Sequence, residues 1–231
     1  MNAYSLPDGV RIAPRAHDLL WVADPAGLFS DAPLPSWATA DWLARAPVVM
    51  RREKVHESDC IPVGLRGQSR SERHKAYLSR QSVARCVSPE LLASSKAWLG
   101  PHQLGTFRAL TALASLAPPL AETGLPWGPT GSVGFALASG LPVLRVESDL
   151  DLIVRAPEPL TAGQTELLLA LRSSAPCRID LQIDTGHGAF SLSEWDHGHR
   201  RVLLKTDSGP FLTTDPWCQS WSSPTESVDQ S

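Results

Sequence analysis

The chain has 231 residues, 42% of them hydrophobic and 19% charged, with a formal net charge of −3. That composition belongs to a globular chain with a sizeable core and excludes the disordered and collagen-like classes. No apolar run approaches the roughly 20 residues of a membrane span, the start Met1-Asn2-Ala3-Tyr4-Ser5 has no signal-peptide pattern, and the mild acidity gives no global reason to bind nucleic acid, so a cytoplasmic, membrane-free protein is expected.

Residues 1–50 are rich in Trp, Pro and Asp, and Ser36 is placed to cap a helix over Trp37–Arg45 that Pro47 ends. Pro47–Met50 and Cys60–Gly64 read as strands flanking a polar turn, with Gly64-Leu65-Arg66-Gly67 as the exit from the second. Residues 51–85 carry nine Lys or Arg against four acids, whereas residues 206–231 carry four acids and no Lys or Arg. Such a basic stretch is either a solvated face or a seat for a phosphate-rich ligand or an acidic partner. Ser88-Pro89-Glu90 is a helix start, and a domain boundary is expected between 86 and 100, near Gly100-Pro101.

A helical stripe through Leu104, Phe107, Leu110 and Ala114 follows, with Pro118-Pro119 as its expected end. Trp127–Gly134 reads as a short strand running into a Gly-rich turn, and Arg145–Arg155 as a second, strongly apolar strand. Thr161-x-x-Gln164 is a capping box before the run Glu166–Leu171, and Cys177–Asp184 is a third strand. Ser191-x-x-Glu194 is expected to cap a short helix, and Asp207-Ser208-Gly209 to turn a hairpin between Arg201–Lys205 and Phe211–Thr214. The Ser-rich tail from Gln219 is expected to fray. Cysteines at 60, 86, 177 and 218 form no Cys-x-x-Cys pair and read as reduced, mostly buried thiols, while Asp196-His197-Gly198-His199 reads as a polar turn rather than a metal site.

The chemistry lies in the two apolar strands. Side chains alternate along a strand, so Asp149 and Asp151 share one face while Ser148, Leu150 and Leu152 take the other. In the next strand Ile179, Leu181 and Ile183 face one way and Asp180 the other. If the strands are neighbours, three carboxylates converge and repel, which a divalent cation relieves; hard oxygen donors select Mg²⁺ or Mn²⁺. The structural alternative is that the aspartates cap turns or make salt bridges. Gly131-Ser132, at a strand-to-helix turn, offers backbone N–H groups and a hydroxyl to a phosphate.

Gly131-Ser132, Asp149-Leu150-Asp151 and an Asp in the following strand resemble the polymerase-beta type of nucleotidyltransferase. The longer strings Thr130-Gly131-Ser132, Ser139-Gly140-Leu141-Pro142 and Ser148-Asp149-Leu150-Asp151-Leu152 resemble the MdcG family of phosphoribosyl-dephospho-CoA transferases, as do Val48–Arg52, Ile61–Gly67 and Val202–Thr206. The likeness spans about residues 15–217. It implies an α+β protein: an N-terminal α+β module (1–95) that binds substrate or partner, and a C-terminal nucleotidyltransferase-like domain (96–231) with a mixed sheet. It implies transfer from 2′-(5″-triphosphoribosyl)-3′-dephospho-CoA to a serine of the apo acyl-carrier subunit of malonate decarboxylase, with loss of pyrophosphate. Asp149, Asp151 and Asp180 would then be catalytic and hold the metal, and Gly131 and Ser132 would hold the triphosphate. Lys205 would neutralise pyrophosphate, and Arg51, Arg52 and Arg66 would bind donor phosphates or the carrier. No tryptophan is singled out for stacking on adenine. Two rival readings use the same residues: an enzyme moving a nucleoside monophosphate from ATP or CTP, and a non-catalytic carrier-binding assembly factor.

Overall fold

The computed structural model describes residues 14–55, 59–99, 107–175, 177–196 and 201–218. Helices and two six-stranded sheets make it an α+β structure. The first sheet contains β1 (Leu19–Val22), β2 (Leu28–Phe29), β3 (Val48–Met50), β4 (Cys60–Arg66), β5 (Arg73–Ser79) and β6 (Val83–Val87), in the order β2-β5-β4-β3-β1-β6. All its pairings are antiparallel, including the expected pair β3–β4, with Val49 opposite Gly64. The second strand of that pair runs on through Arg66, because Leu65 and Arg66 pair with His74 and Arg73 of β5. The short helix α1 (Ala40–Arg45) starts later than expected, since Thr39 rather than Ser36 accepts from Trp42 N and so caps it. Helix α2 (Pro89–Ser95) has the expected Ser88 cap and closes the first half of the chain.

The second half holds α3 (Arg108–Glu122), β7 (Trp127–Pro129), α4 (Gly131–Ser139), β8 (Leu150–Arg155), α5 (Ala162–Ser174) and β9 (Ile179–Asp184). Then come β10 (Gly188–Ser191), α6 (Leu192–Asp196), β11 (Val202–Thr206) and β12 (Gly209–Thr213). The sheet order is β12-β11-β10-β9-β8-β7. It is mixed: β8 and β9 are parallel, while their neighbours pair antiparallel. Helix α5 supplies the crossover a parallel pair needs, and the Thr161–Gln164 capping box that opens it is fully formed.

Four expectations about these elements are corrected. Helix α3 runs through Pro118-Pro119 instead of ending there. The prolines lie on its outer face, and the carbonyls they leave without a donor, of Ala114 and Ser115, are on partly or fully exposed residues, so water can satisfy them. The inner stripe of Leu110, Leu113, Leu116 and Leu120 keeps packing regardless. Strand β8 begins at Leu150, not Arg145, because Ser148 N donates to Arg145 O and Arg145 N to Ser148 Oγ, closing a turn just ahead of the aspartates. Strand β9 likewise starts at Ile179 rather than Cys177. Ser191 does not pair reciprocally with Glu194: its hydroxyl meets Ser193 Oγ at 2.7 Å, and Glu194 accepts instead from Leu203 N. The cysteines take part in no disulfide but are half-buried rather than buried. Gly100-Pro101, Leu104, His197, His199 and the tail from Gln219 lie outside the described residues.

The apolar interior falls into three clusters. One fills the first module and one lies among α3, α5 and the second sheet. The third joins them: Leu19, Trp42, Val87 and Leu92 from the first half pack on Phe135, Ala136 and Val143 of the second. Helix α4 is apolar on nearly every side because it is wedged in this seam. The functional residues are therefore held at a junction, not on a free sheet face.

Candidate functional site

The parallel register of β8 and β9 sets Asp151 directly beside Asp180, with Leu150 opposite Ile179 and Leu152 opposite Leu181. Adjacent strands lie about 4.8 Å apart, so equal register points both carboxylates out of the same sheet face. Leucine and isoleucine on the other face are buried against α3 and α5, which is why the register cannot slip. Asp149 stands one residue ahead of β8, at the exit of the Arg145–Ser148 turn.

Burial, then the charges of Asp180 and Asp149, push the Asp151 carboxyl up to about 6, and Arg66 and Arg70 pull against that rise. Burial and two acidic neighbours thus oppose the ionisation of Asp151, and the nearby arginines favour it. Among the described residues, no group of three or more His, Cys, Asp or Glu is gathered closely enough to form a complete metal cage. The charges of Asp180 and Asp149 both act on Asp151.

Gly131 follows β7 and starts α4 with φ +55°, and a methyl added to it would overlap Asp151 Oδ2. Only glycine lets the helix N-terminus approach the carboxylate this closely. Thr130 N donates to Asp151 O (2.8 Å), tying the turn to β8. Ser132 and Asp151 line one recess of about 210 Å³, together with Asp149 and four arginines: Arg66, Arg70, Arg73 and Arg145. The expected Gly-Ser turn, Asp149 and Asp151 are therefore brought together, while Asp180 stands beside Asp151 on β9 but does not line this recess.

Arg66 belongs to the same place. It is buried, its guanidinium lies 5.2 Å from the centre of the Phe135 ring, and its Nε has no hydrogen-bond partner. Burial and the nearby Arg73 lower its pKa to about 10, against the attraction of Asp151, so it remains cationic at neutral pH. Sequence reasoning did not single out Arg70, Arg73 or Arg145. The first two lay within the noted basic stretch, but only the β4–β5 hairpin aims that stretch across the seam at the aspartates.

The other basic residues sit elsewhere. Lys205 is exposed on β11 and lines a groove of about 820 Å³ with Arg51, Arg52 and Asp207, two strands away from β9. Arg51 pairs with Glu53. Arg52 Nη2 donates to Asp184 Oδ2 at 2.9 Å, an ion pair that links the two halves of the chain. Asp184 also receives Arg155, whose Nε reaches Glu90 Oε1 (2.8 Å) and whose Nη2 reaches Ala16 O (3.0 Å). The structure gives Arg52 a structural partner and does not bring Lys205 to the carboxylates.

No helix among the described residues is long and apolar enough to cross a membrane. Residues 15–89 match the family model described as phosphoribosyl-dephospho-CoA transferase MdcG N-terminal domain, and residues 100–216 match the corresponding C-terminal domain. The chain is 46% identical to the phosphoribosyl-dephospho-CoA transferase of Pseudomonas putida strain GB-1, over 89% of this chain and 96% of that protein. It is 42% identical to the protein of the same name from Azotobacter vinelandii, over 90% of this chain and 96% of that one. With that of Klebsiella pneumoniae strain 342 it shares 40% identity, over 88% and 96%. No solved structure matches.

Proposed function

The chain belongs to the MdcG family of phosphoribosyl-dephospho-CoA transferases, and from that premise we propose what it transfers the group from and onto, and with which residues. It is a transferase enzyme. In this proposal the donor is 2′-(5″-triphosphoribosyl)-3′-dephospho-CoA and the acceptor is a serine of the apo acyl-carrier subunit of malonate decarboxylase. The serine oxygen bonds to the phosphorus next to the ribose. The bond from that phosphorus to the outer two phosphates breaks, pyrophosphate leaves, and the serine proton passes to a carboxylate.

The observation that carries this reading is Asp149 and Asp151 sharing one recess with four arginines, with Asp180 beside Asp151 in register on the next strand. Carboxylates alone would repel a triphosphate and arginines alone would only hold it. Together they give a place to bind the phosphates and a group to take a proton. Arg66, Arg70, Arg73 and Arg145 take the role first assigned to Lys205, and the N–H groups of Gly131 and Ser132 at the start of α4 add donors. Asp180 or Asp151 accepts the serine proton. A Mg²⁺ or Mn²⁺ ion suits the hard oxygen donors of Asp149, Asp151 and Asp180, and such ions usually take only one or two carboxylates and complete their shell with substrate phosphates. When bound, the ion would neutralise charge on the phosphates and favour ionisation of the attacking hydroxyl. A cytoplasmic location is part of the same proposal, supported by four cysteines outside any disulfide.

The test is the intact mass of the apo-carrier subunit after incubation with the protein, Mg²⁺ and the donor, with ATP as the parallel donor. A gain equal to the phosphoribosyl-dephospho-CoA group, absent with natively folded Asp149→Ala, is expected. Full activity in that variant would overturn the site. No gain with either donor would overturn the acceptor, and a gain of AMP would replace the donor.

A further inference from the structure

Arg66 and Arg73 line two cavities at once. One is the polar recess of Asp149 and Asp151. The other, of about 390 Å³, lies where β1, β3 and β4 of the first sheet meet the start of α4 and α2. Its walls are mostly aliphatic or aromatic: Leu19, Val49, Leu65, Leu92 and Phe135. Its polar groups are His17 and Thr130, with Arg51, His74 and Lys75 also on its lining.

We propose that this second cavity binds the adenine nucleoside of the donor, with Arg51 and Lys75 exchanging their partners Glu53 and Asp31 for the 5′-diphosphate. The proposal rests on the donor assigned above. In that donor the triphosphoribosyl group is joined to the adenosine, and the pantetheine arm begins beyond the 5′-diphosphate. The part of the ligand that enters a cavity sharing a wall with the triphosphate recess is therefore the adenosine. Its volume falls in the range of small-ligand sites, and apolar walls suit a flat heteroaromatic ring. The amides of a pantetheine arm would meet mostly carbon here, at a desolvation cost. Burial, with Arg155 and Arg52, pushes the His17 pKa down to about 4, so its imidazole is neutral at physiological pH and offers one donor and one acceptor. Either one can meet the polar edge of adenine.

Gly64 and Val49 are register partners on the cavity wall. A Cβ at Gly64 would meet Arg51 Cδ at 3.6 Å, an ordinary contact, so a leucine there extends into the cavity without displacing backbone. Titration calorimetry on the full chain uses 3′-dephospho-CoA, ADP, 4′-phosphopantetheine and inorganic tripolyphosphate, each with Mg²⁺. Wild-type protein should bind dephospho-CoA and ADP, and Gly64→Leu and Val49→Phe should each weaken both at least tenfold. Tripolyphosphate affinity should change less than twofold, which also certifies the fold of each variant. ADP affinity unchanged in both variants overturns the cavity assignment alone, as does competition with dephospho-CoA by phosphopantetheine in place of ADP. Loss of all ligands in both variants also overturns it, since the two positions would then hold the fold rather than the nucleoside. Wild-type protein that binds tripolyphosphate but neither nucleotide overturns the cavity and the donor together.

Discussion

Gly131 is the position where a single methyl group decides most. Its φ of +55° is costly for any other residue, and the space a side chain needs is filled by Asp151. Gly131→Ala should lower transfer at least a hundredfold by displacing that carboxylate. It should also cost about 1–3 kcal/mol of stability, so assays of rate and of urea unfolding on one sample separate the two effects. His17 makes a different prediction. Arg155, Arg52 and Lys205 disfavour its protonation and Asp184 favours it, but burial is the larger cause, and its folded pKa of about 4 lies below the ordinary 6.5. The unfolded chain therefore binds a proton that the folded chain refuses, and stability falls as pH drops from 7 through 6.5 toward 4. The loss between pH 7 and 5 should be ~1–2 kcal/mol, discounted for its partial exposure. His17→Asn, which tolerates the positive φ of 76°, should remove that part of the slope in thermal melts at the two pH values.

Among the elements, α5 is the one whose loss would undo the site without touching it. It is the crossover that makes β8 and β9 parallel, and only the parallel register sets Asp151 beside Asp180. Its capping box joins Thr161 and Gln164, and Gln164 Nε2 also donates to Thr123 O after α3. Thr161→Ala should destabilise the chain by about 1 kcal/mol, read as a lower urea midpoint with unchanged slope and unchanged turnover. Helix α4 behaves oppositely. It is short and nearly all apolar, and its place is secured by Phe135 and Ala136 in the seam rather than by surface charges.

The two halves of the molecule are held together by that apolar seam and by one buried charged knot. Arg155 enters the knot from β8, meeting Asp184 at the end of β9, Glu90 on α2 and Ala16 O ahead of β1. Burial would raise the Asp184 carboxyl, but Arg52, the Gly186 N–H and Arg155 outweigh it and hold the pKa below the ordinary 3.8. Its stabilisation is therefore complete above that value and is lost as pH falls through the lower folded one. Arg155→Ala takes one of two cations from each of Asp184 and Glu90, which keep Arg52 and Arg15, and should cost about 1–3 kcal/mol. Because the knot spans both halves, calorimetry of that variant should show either one transition at lower temperature or two separate ones. An unchanged melt would mean that the seam alone binds the halves.

The family resemblance supplied the α+β class and the grouping of Gly131, Ser132, Asp149 and Asp151, while local signals were enough for the β3–β4 pair, the capping box of α5 and the hairpin at Asp207–Gly209. Each of these local features depends on periodicity or turn chemistry within a few neighbouring residues, so it is written in sequence order. Where α3 ends was not legible, because whether Pro118-Pro119 breaks a helix depends on whether the freed carbonyls face water or core. Nor was it legible which basic residues meet the aspartates. Arg52 and Arg66 look alike in sequence, yet one is spent on Asp184 and the other faces Asp151 across the seam. Charge acts through distance in space, and the distance between residues 66 and 151 is set by how two separate sheets pack, which no local pattern encodes.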